Sequence, residues 1–425
     1  MSALESLSSY PQIVKIMQKG SISDLRAFQK KAIENGLLKS KNLLISAPTG
    51  SGKTLIGELA ILKHLLGYEK RKALFLVPLK AVANEKYDEF FRKYGVLLNI
   101  KVSTSDFETI PEELNSANLI IATYERFDSL LRSRPDWLPD IAVVIIDEVH
   151  MIGQKERGPR LESVIIRLKE YLPHTQLICL SATIKNWDEL SDWLQAYPIL
   201  SDERPVPLIV KTLISKNKLN SILKLVEKTV LINGQVLIFT MTRRDAEFLA
   251  ERIANQLEHI LKTKDNIIDV DLVSNLSLRL KNTLPKGVGY HHAGLISNDR
   301  KIVENYFRKG IIKVIVCTTT LSAGINVPAR LVIIKDVRMG DSEKPLRTLT
   351  SNEIFQILGR AGRPGLDEEG IGIILAENKK EKESIEAYMY THTSVGEKTE
   401  DYEPVFSQFN NVSTLREQVL VKIYE

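Results

Sequence analysis

Short apolar runs rich in Ile, Val and Leu recur along this chain, separated by stretches of helical spacing, and that alternation limits what it can fold into. In the first half the runs are KNLLISA (41–47), ALFLV (73–77), NLIIA (118–122), IAVVII (141–146) and QLICL (176–180). Each is too short for a buried helix and is bounded by turn residues or charge, the pattern of strands buried on both faces of a parallel sheet. Between them lie amphipathic segments such as 54–66, where Leu55, Leu59, Leu62 and Leu66 repeat at helical spacing. Strands alternating with helices predict a doubly wound α/β domain.

The rhythm breaks in PILSDERPVP (198–207), polar and proline-rich, which suits an extended linker. It resumes with VLIFT (236–240), VGYHH (288–292), KVIVC (313–317), LVIIK (331–335) and IGIILA (371–376). The expected fold class is α/β: two tandem domains with parallel sheets, at 1–200 and 201–395, and the cleft between them as the default site. A length of 425 residues agrees, at about 150 residues per domain. Residues 260–285 are polar without a clear period and are expected to form an insertion or mobile connection. The tail, 396–425, ends in a helix-like pattern with Leu415, Val419, Leu420 and Ile423 apolar, expected to be mobile or docked on the second domain.

Composition excludes several classes. Hydrophobic residues at 44% and charged residues at 26% describe a folded soluble protein rather than a disordered one. No apolar run reaches the eighteen or so residues of a membrane span, and MSALESLSSY has neither a basic n-region nor an apolar h-region, so an intracellular, cytoplasmic protein is expected. Two cysteines, Cys179 and Cys317, exclude a disulfide framework and a Cys-rich zinc site. A net charge of +5 permits a polyanionic partner without demanding one.

Ala47-Pro48-Thr49-Gly50-Ser51-Gly52-Lys53-Thr54 follows an expected strand and opens an expected helix. Apart from Ala47 at its first position it matches a P-loop, in which glycines let backbone N–H groups wrap a phosphate chain. Lys53 is expected to reach the β- and γ-phosphates of ATP and the Thr54 hydroxyl to bind Mg²⁺, with the helix N-terminus adding its positive end. A Gly-Ser turn that happens to precede Lys-Thr is the plainer alternative, and the flanking strand and helix weigh against it. The run 141–146 ends in Asp147-Glu148-Val149-His150. Adjacent carboxylates there suit two jobs: Asp147 to hold the Mg²⁺ and Glu148 to polarise the attacking water.

With APTGSGKT and DEVH in place, the chain resembles the superfamily 2 nucleic-acid helicases, whose fold is two RecA-like P-loop domains. Other stretches fall in that family's order. Gln29 resembles the adenine-reading glutamine, and VPLKAVANEK (77–86) and TYERFDSLL (123–131) resemble strand-gripping motifs. Ser181-Ala182-Thr183 resembles the motif that couples hydrolysis to domain movement. HHAGL (291–295), TTTLSAGINVPAR (318–330) and QILGRAGRPG (356–365) are similar to motifs of the Ski-like branch. ERGPRLES (156–163) and RPVPL (204–208) narrow the likeness to archaeal DNA repair helicases of the Hjm and HelQ type.

The resemblance implies Gly324 in the nucleotide site, and Lys80, Thr123, Thr318 and Thr319 against a strand, although a capping or turn role is as good a reading for each. Arg360 and Arg363, three apart and on one face if helical, are expected to stabilise charge on the γ-phosphate, with Gln356 helping to place the water. It also implies a strand-separating hairpin within 338–353, which here lacks an aromatic residue, and a chain that ends inside the first helix of a winged helix. The family's motif commonly has Pro where Thr319 stands. The implied activity is ATP-dependent 3′-to-5′ unwinding of single-stranded or forked DNA by a monomer. An RNA helicase, or an ATPase that remodels nucleic acid without processive unwinding, are the alternatives. His291, His292, Trp137, Trp187 and Trp193 are read as packing or hydrogen-bonded side chains.

Overall fold

The structure, a computed structural model, describes residues 7–20, 22, 24–104, 111–261, 278–318, 327–341, 344–392, 398–416 and 419. It divides into one unit of Met1–Glu203 with Pro404–Glu425 and another of Arg204–Glu403.

The first unit is built on β1 (Leu43–Ser46), β2 (Lys72–Val77), β3 (Ile100–Ser103), β4 (Leu119–Thr123), β5 (Ile141–Ile146), β6 (Gln176–Ser181) and β7 (Tyr197–Leu200). They pair in the order β3-β4-β2-β5-β6-β1-β7, every pair parallel. Alternation along each strand splits the core in two. Leu43 and Ile45 face one layer, with Phe28, Phe75 and Phe90, while Leu44 faces the other, with Tyr124 and Phe127. The first layer is closed by α1 (Pro11–Lys19), α2 (Ala27–Glu34), α3 (Thr54–Leu65) and α4 (Lys80–Tyr94). The second is closed by α5 (Tyr124–Ser133), α6 (Gly158–Tyr171) and α7 (Trp187–Leu194).

Three expectations change here. Helix α3 is not a one-sided amphipathic helix: Ile56, Glu58, Leu59, Ile61, Leu62 and His64 are all buried, because α1 and α2 cover the face that the leucine stripe leaves open. The stretch 198–207 is not all linker. Tyr197–Leu200 is strand β7, paired only with β1 at the sheet edge, where a proline with no N–H to give is tolerated at 198. Strand β3 was not anticipated either.

The second unit carries β8 (Leu208–Ile214), β9 (Val236–Phe239), β10 (Val288–His291), β11 (Val314–Cys317), β12 (Leu331–Ile334) and β15 (Gly370–Ala376), in the parallel order β10-β11-β9-β12-β15-β8. Both sheets are of the RecA-like kind. Edge strand β8 went unread because its partial burial breaks the continuous apolar run of the central strands. Between β12 and β15, β13 (Arg338–Asp341) and β14 (Lys344–Thr348) pair antiparallel, Arg338 opposite Thr348. The hairpin is shorter than the 338–353 expected. Thr350 caps a helix, Ser351–Leu358, in a reciprocal capping box with Glu353. Of the 260–285 insertion, residues 262–277 lie outside the described residues.

The tail corrects another expectation, since from Pro404 it belongs to the first unit. Asn186 holds Val405 through two hydrogen bonds, of 2.8 and 2.9 Å, and Gln408 Nε2 donates to the Gly153 carbonyl at 3.0 Å. The Ser407 hydroxyl lies 2.8 Å from both carboxylate oxygens of Glu162, which is 7% exposed. Burial raises the Glu162 carboxyl against the pull of that hydroxyl. Ser407→Ala leaves the buried Glu162 carboxylate with the Gln408 N–H but without the hydroxyl, so the first unit is expected to lose about 1 kcal/mol, read as a lower melting temperature. An unchanged melting curve would show that water replaces the hydroxyl. Residues 417–418 and 420–425, with Leu420 and Ile423, lie outside the described residues.

Candidate active site

The P-loop leaves β1 and runs into α3, which starts at Thr54. Gly50 and Gly52 turn with φ of +78° and +93°, values that favour glycine. A Cβ on Gly52 would meet Gln29 Nε2 at 3.0 Å. Lys53 Nζ donates to the carbonyls of Ala47, at 2.5 Å, and Pro48, at 3.1 Å. Ser51 Oγ is buried with no hydrogen-bond partner among the described residues, and Thr49 is half-buried beside it in the sequence.

Gln29, 3% exposed, is placed as a brace of this loop. Its Oε1 accepts from the Arg26 N–H at 2.9 Å and its Nε2 donates to the Gly52 carbonyl at 3.0 Å. One N–H and one lone pair of the amide remain for a base. Arg26 reaches the same loop, donating to the Ser51 carbonyl.

Strand β6 separates β1 from β5, so the C-terminal ends of all three stand side by side. After β5, Asp147 Oδ1 accepts from the Glu148 N–H at 3.1 Å, and the Tyr124 hydroxyl donates to the Asp147 carbonyl. Burial and then Glu148 push the Asp147 carboxyl up to about 6, against Lys86 and Lys53. Glu148 has φ +54°, a left-handed conformation rare for a side-chain-bearing residue, and initiates a short 3-10 turn, Val149–Gly153.

His150 connects this turn to the Ser181-Ala182-Thr183 stretch. Its Nδ1 accepts from the Ala182 N–H at 3.4 Å and lies 3.4 Å from Glu148 Oε2. Burial, and then the charge of Lys53, push the imidazole down to about 4. At neutral pH the ring is therefore uncharged, and its Nδ1 presents a lone pair to Glu148 rather than a proton. Glu148 Oε2 has no hydrogen-bond donor among the described residues, and neither do the buried oxygens Ser181 Oγ and Thr183 Oγ1.

A carboxylate oxygen that no donor occupies is what a general base requires. A residue outside the expected set, Lys86, completes the arrangement. Its ammonium lies 3.5 Å from Thr54 Oγ1 and 2.9 Å from Glu89 Oε2. Burial alone would lower it, but Glu89 and Asp147 outweigh burial and hold it above its usual value. A cation stabilised beside Thr54 and Asp147 marks that corner as electronegative, so the two residues fit a Mg²⁺ ion. Lys86 stands in VPLKAVANEK, six residues on from Lys80 in α4, a spacing that puts the two on different helix faces and gave no signal for it.

Of the residues expected to grip a strand, Lys80 opens α4 and is exposed, while the Thr123 hydroxyl caps α5 by accepting the Arg126 N–H at 3.4 Å. Thr318 follows β11, its N–H on the His291 carbonyl at 3.2 Å. Thr319 and Gly324 lie outside the described residues. His291 and His292 each place Nε2 at 3.0 Å from a carboxylate, Glu304 and Glu247.

Arg360 and Arg363 do not share a helix face. The helix carrying Gln356 ends at Leu358, Gly359 follows as its cap, and Gly362 turns with φ +98° between the two arginines. Arg363 is clamped inside its own unit: Nε and one terminal nitrogen each bond Asp367 at 2.8 Å, and the other bonds Gln235 Oε1 at 3.2 Å.

Two parallel-sheet domains, a P-loop and an acid pair define a class, and the family comparison agrees with it. Residues 26–190 match the DEAD/DEAH box helicase family and residues 217–365 the helicase conserved C-terminal domain. The chain belongs to the superfamily 2 helicases. Among its relatives are proteins named ATP-dependent DNA helicase Hel308. That of Methanococcus vannielii is 38% identical, over 96% of this chain and 57% of its own length. That of Pyrococcus horikoshii is 39% identical, over 99% and 59%, and that of Thermoplasma volcanium 38%, over 95% and 59%. The chain thus spans under three fifths of the length of these relatives.

His150 shares its behaviour with His64, which burial also pushes down to about 4. A histidine held below its unfolded value contributes stability that is full above about 6.5 and lost as pH falls through about 4. The first unit is therefore expected to lose on the order of 3 kcal/mol per histidine across that window. Thermal melts from pH 7 to 4 test this, and a flat profile would mean that both rings are protonated in place.

Proposed function

We propose that this chain is the ATP-hydrolysing motor of a DNA helicase that moves 3′ to 5′ along single strands of forked DNA. The observation that carries the reading is the buried, donor-free oxygen of Glu148 at the strand end beside the P-loop. A water on the γ-phosphate would give its proton to that oxygen. Lys53 would leave the loop carbonyls for the phosphates, and Thr54 and Asp147 would hold Mg²⁺, which neutralises charge on the β- and γ-oxygens when bound. Arg360 would stabilise the charge that develops on transfer, and Arg363, clamped by Asp367, would brace the loop that presents it. DNA is favoured over RNA because the relatives are named as DNA helicases.

The test is ATP turnover with and without single strands, together with unwinding of matched DNA and RNA duplexes bearing 3′ or 5′ tails. DNA-stimulated turnover and unwinding from 3′ tails are expected. Preference for RNA would reassign the substrate, and turnover indifferent to any strand would remove the motor reading.

A further inference from the structure

The chain passes between the two units twice, at Glu203–Arg204 and again at Glu403–Pro404. The first passage runs through exposed Asp202, Glu203 and Pro205. The second is gripped at both ends, each time in the same way. In the second unit Asn352 Oδ1 accepts the Glu403 N–H at 3.2 Å and its Nδ2 donates to the Glu403 carbonyl at 3.4 Å. In the first unit Asn186 Oδ1 accepts the Val405 N–H at 2.8 Å and its Nδ2 donates to the Val405 carbonyl at 2.9 Å. Each side-chain amide thus spends one acceptor and one donor on the backbone of a single residue, as the edge of a neighbouring strand would.

Other contacts reinforce both grips. Glu403 Oε1 accepts the Tyr388 hydroxyl at 2.6 Å and, at 3.2 Å, the N–H of Ser351, which opens a helix and has no partner within it. The Val405 side chain packs on the second core layer of the first unit. Asn186 stands at the N-cap of α7, where an asparagine ordinarily bonds the first turn, yet it makes no such bond. Holding the tail therefore displaces the local use of this residue. Only Pro404 lies between the gripped residues. Its ring fixes φ and favours an extended Glu403, so the link is stiff and spans no more than about 7 Å. Its ends also adjoin the chemistry. Asn186 comes three residues after Thr183, in the stretch expected to couple hydrolysis to movement, and Asn352 lies one turn before Gln356 in the same helix.

We propose that Asn186 and Asn352 are positioning residues: through the short link at 403–405 they restrain the two units, so that Gln356 and Arg360 are presented to a nucleotide on the P-loop. Two bodies joined by one flexible passage drift apart over many arrangements, and a second, short passage removes most of them. Fewer open arrangements then compete with the one that hydrolyses ATP, which raises the apparent affinity for ATP without touching the chemical step. The effect on ATP rests on the motor reading; the restraint itself does not.

The experiment lengthens the link in the full chain and leaves both grips intact, by inserting Gly-Ser-Gly-Ser between Glu403 and Pro404. Dyes on Lys39→Cys and Lys380→Cys, exposed positions in different units, report their separation, since Cys179 and Cys317 are buried. The insertion is expected to widen the distribution of separations. It is also expected to raise KM for ATP about fivefold with kcat unchanged, the closure cost of going from two residues to six. Asn352→Ala should raise KM in the same way and add little on the lengthened chain, whereas a merely structural role would add in full. An unchanged distribution overturns the proposal, and so does a widened one with KM unmoved. A parent chain that hydrolyses no ATP beside single strands would remove the motor reading, and the distribution of separations would still decide the restraint.

Discussion

Glu148→Gln is expected to bind ATP about as tightly as the parent while hydrolysing it roughly 10²–10⁴ times more slowly. The neutral His150 leaves Glu148 Oε2 free of donors, so the carboxylate is available to take a proton. A carboxamide has the same shape but cannot take one. Thr54, Asp147 and Lys53 keep their positions, so nucleotide affinity should survive, and no buried charge is stranded. The measurement is single-turnover hydrolysis beside a nucleotide-binding titration. Turnover at the parental rate would show that Glu148 is not the base.

Arg363→Ala is expected to act first on stability, costing the second unit about 1–3 kcal/mol, because it takes two charged bonds from a buried carboxylate and leaves it only the residue-363 N–H and Arg330. The Asp367 side chain is 0% exposed and accepts two parallel bonds from Arg363, with Arg330 at 3.6 Å. Burial would raise that carboxyl, but Arg363 outweighs burial and holds it below the usual carboxylate range. The pair's contribution is therefore present above the unfolded value and lost as pH falls through the folded one. Hydrogen exchange across 359–367 is the direct readout, and Arg363→Ala combined with Asp367→Asn should recover much of the loss. An unperturbed loop with reduced turnover would instead return Arg363 to the role of phosphate contact.

Much of the scaffold was legible because central parallel strands are buried on both faces and must be continuously apolar. Runs such as 141–146 and 331–335 therefore declared themselves. The edge strands β3, β7 and β8 did not, since an edge strand pairs on one side and tolerates Pro198, Lys101 or Lys211. The tail was misplaced for a related reason. Its hold on the first unit comes from Asn186, Glu162 and the Gly153 carbonyl, polar partners that no apolar stripe announces.

At the site, sequence by itself determined which residues stand at the strand ends: the P-loop glycines, Lys53 and Thr54 after β1, and the Asp147-Glu148 pair after β5. Tertiary structure decided everything that depends on a distant partner. It clamped Arg363 on Asp367 and Gln235, turned Gln29 onto Gly52, and brought Lys86 to Thr54 from the next helix. It also made His150 a neutral acceptor between Glu148 and Ala182. The physical reason is that a side chain's charge state and free lone pairs depend on burial and on neighbours within a few ångströms, and those neighbours are brought together only when the sheet forms.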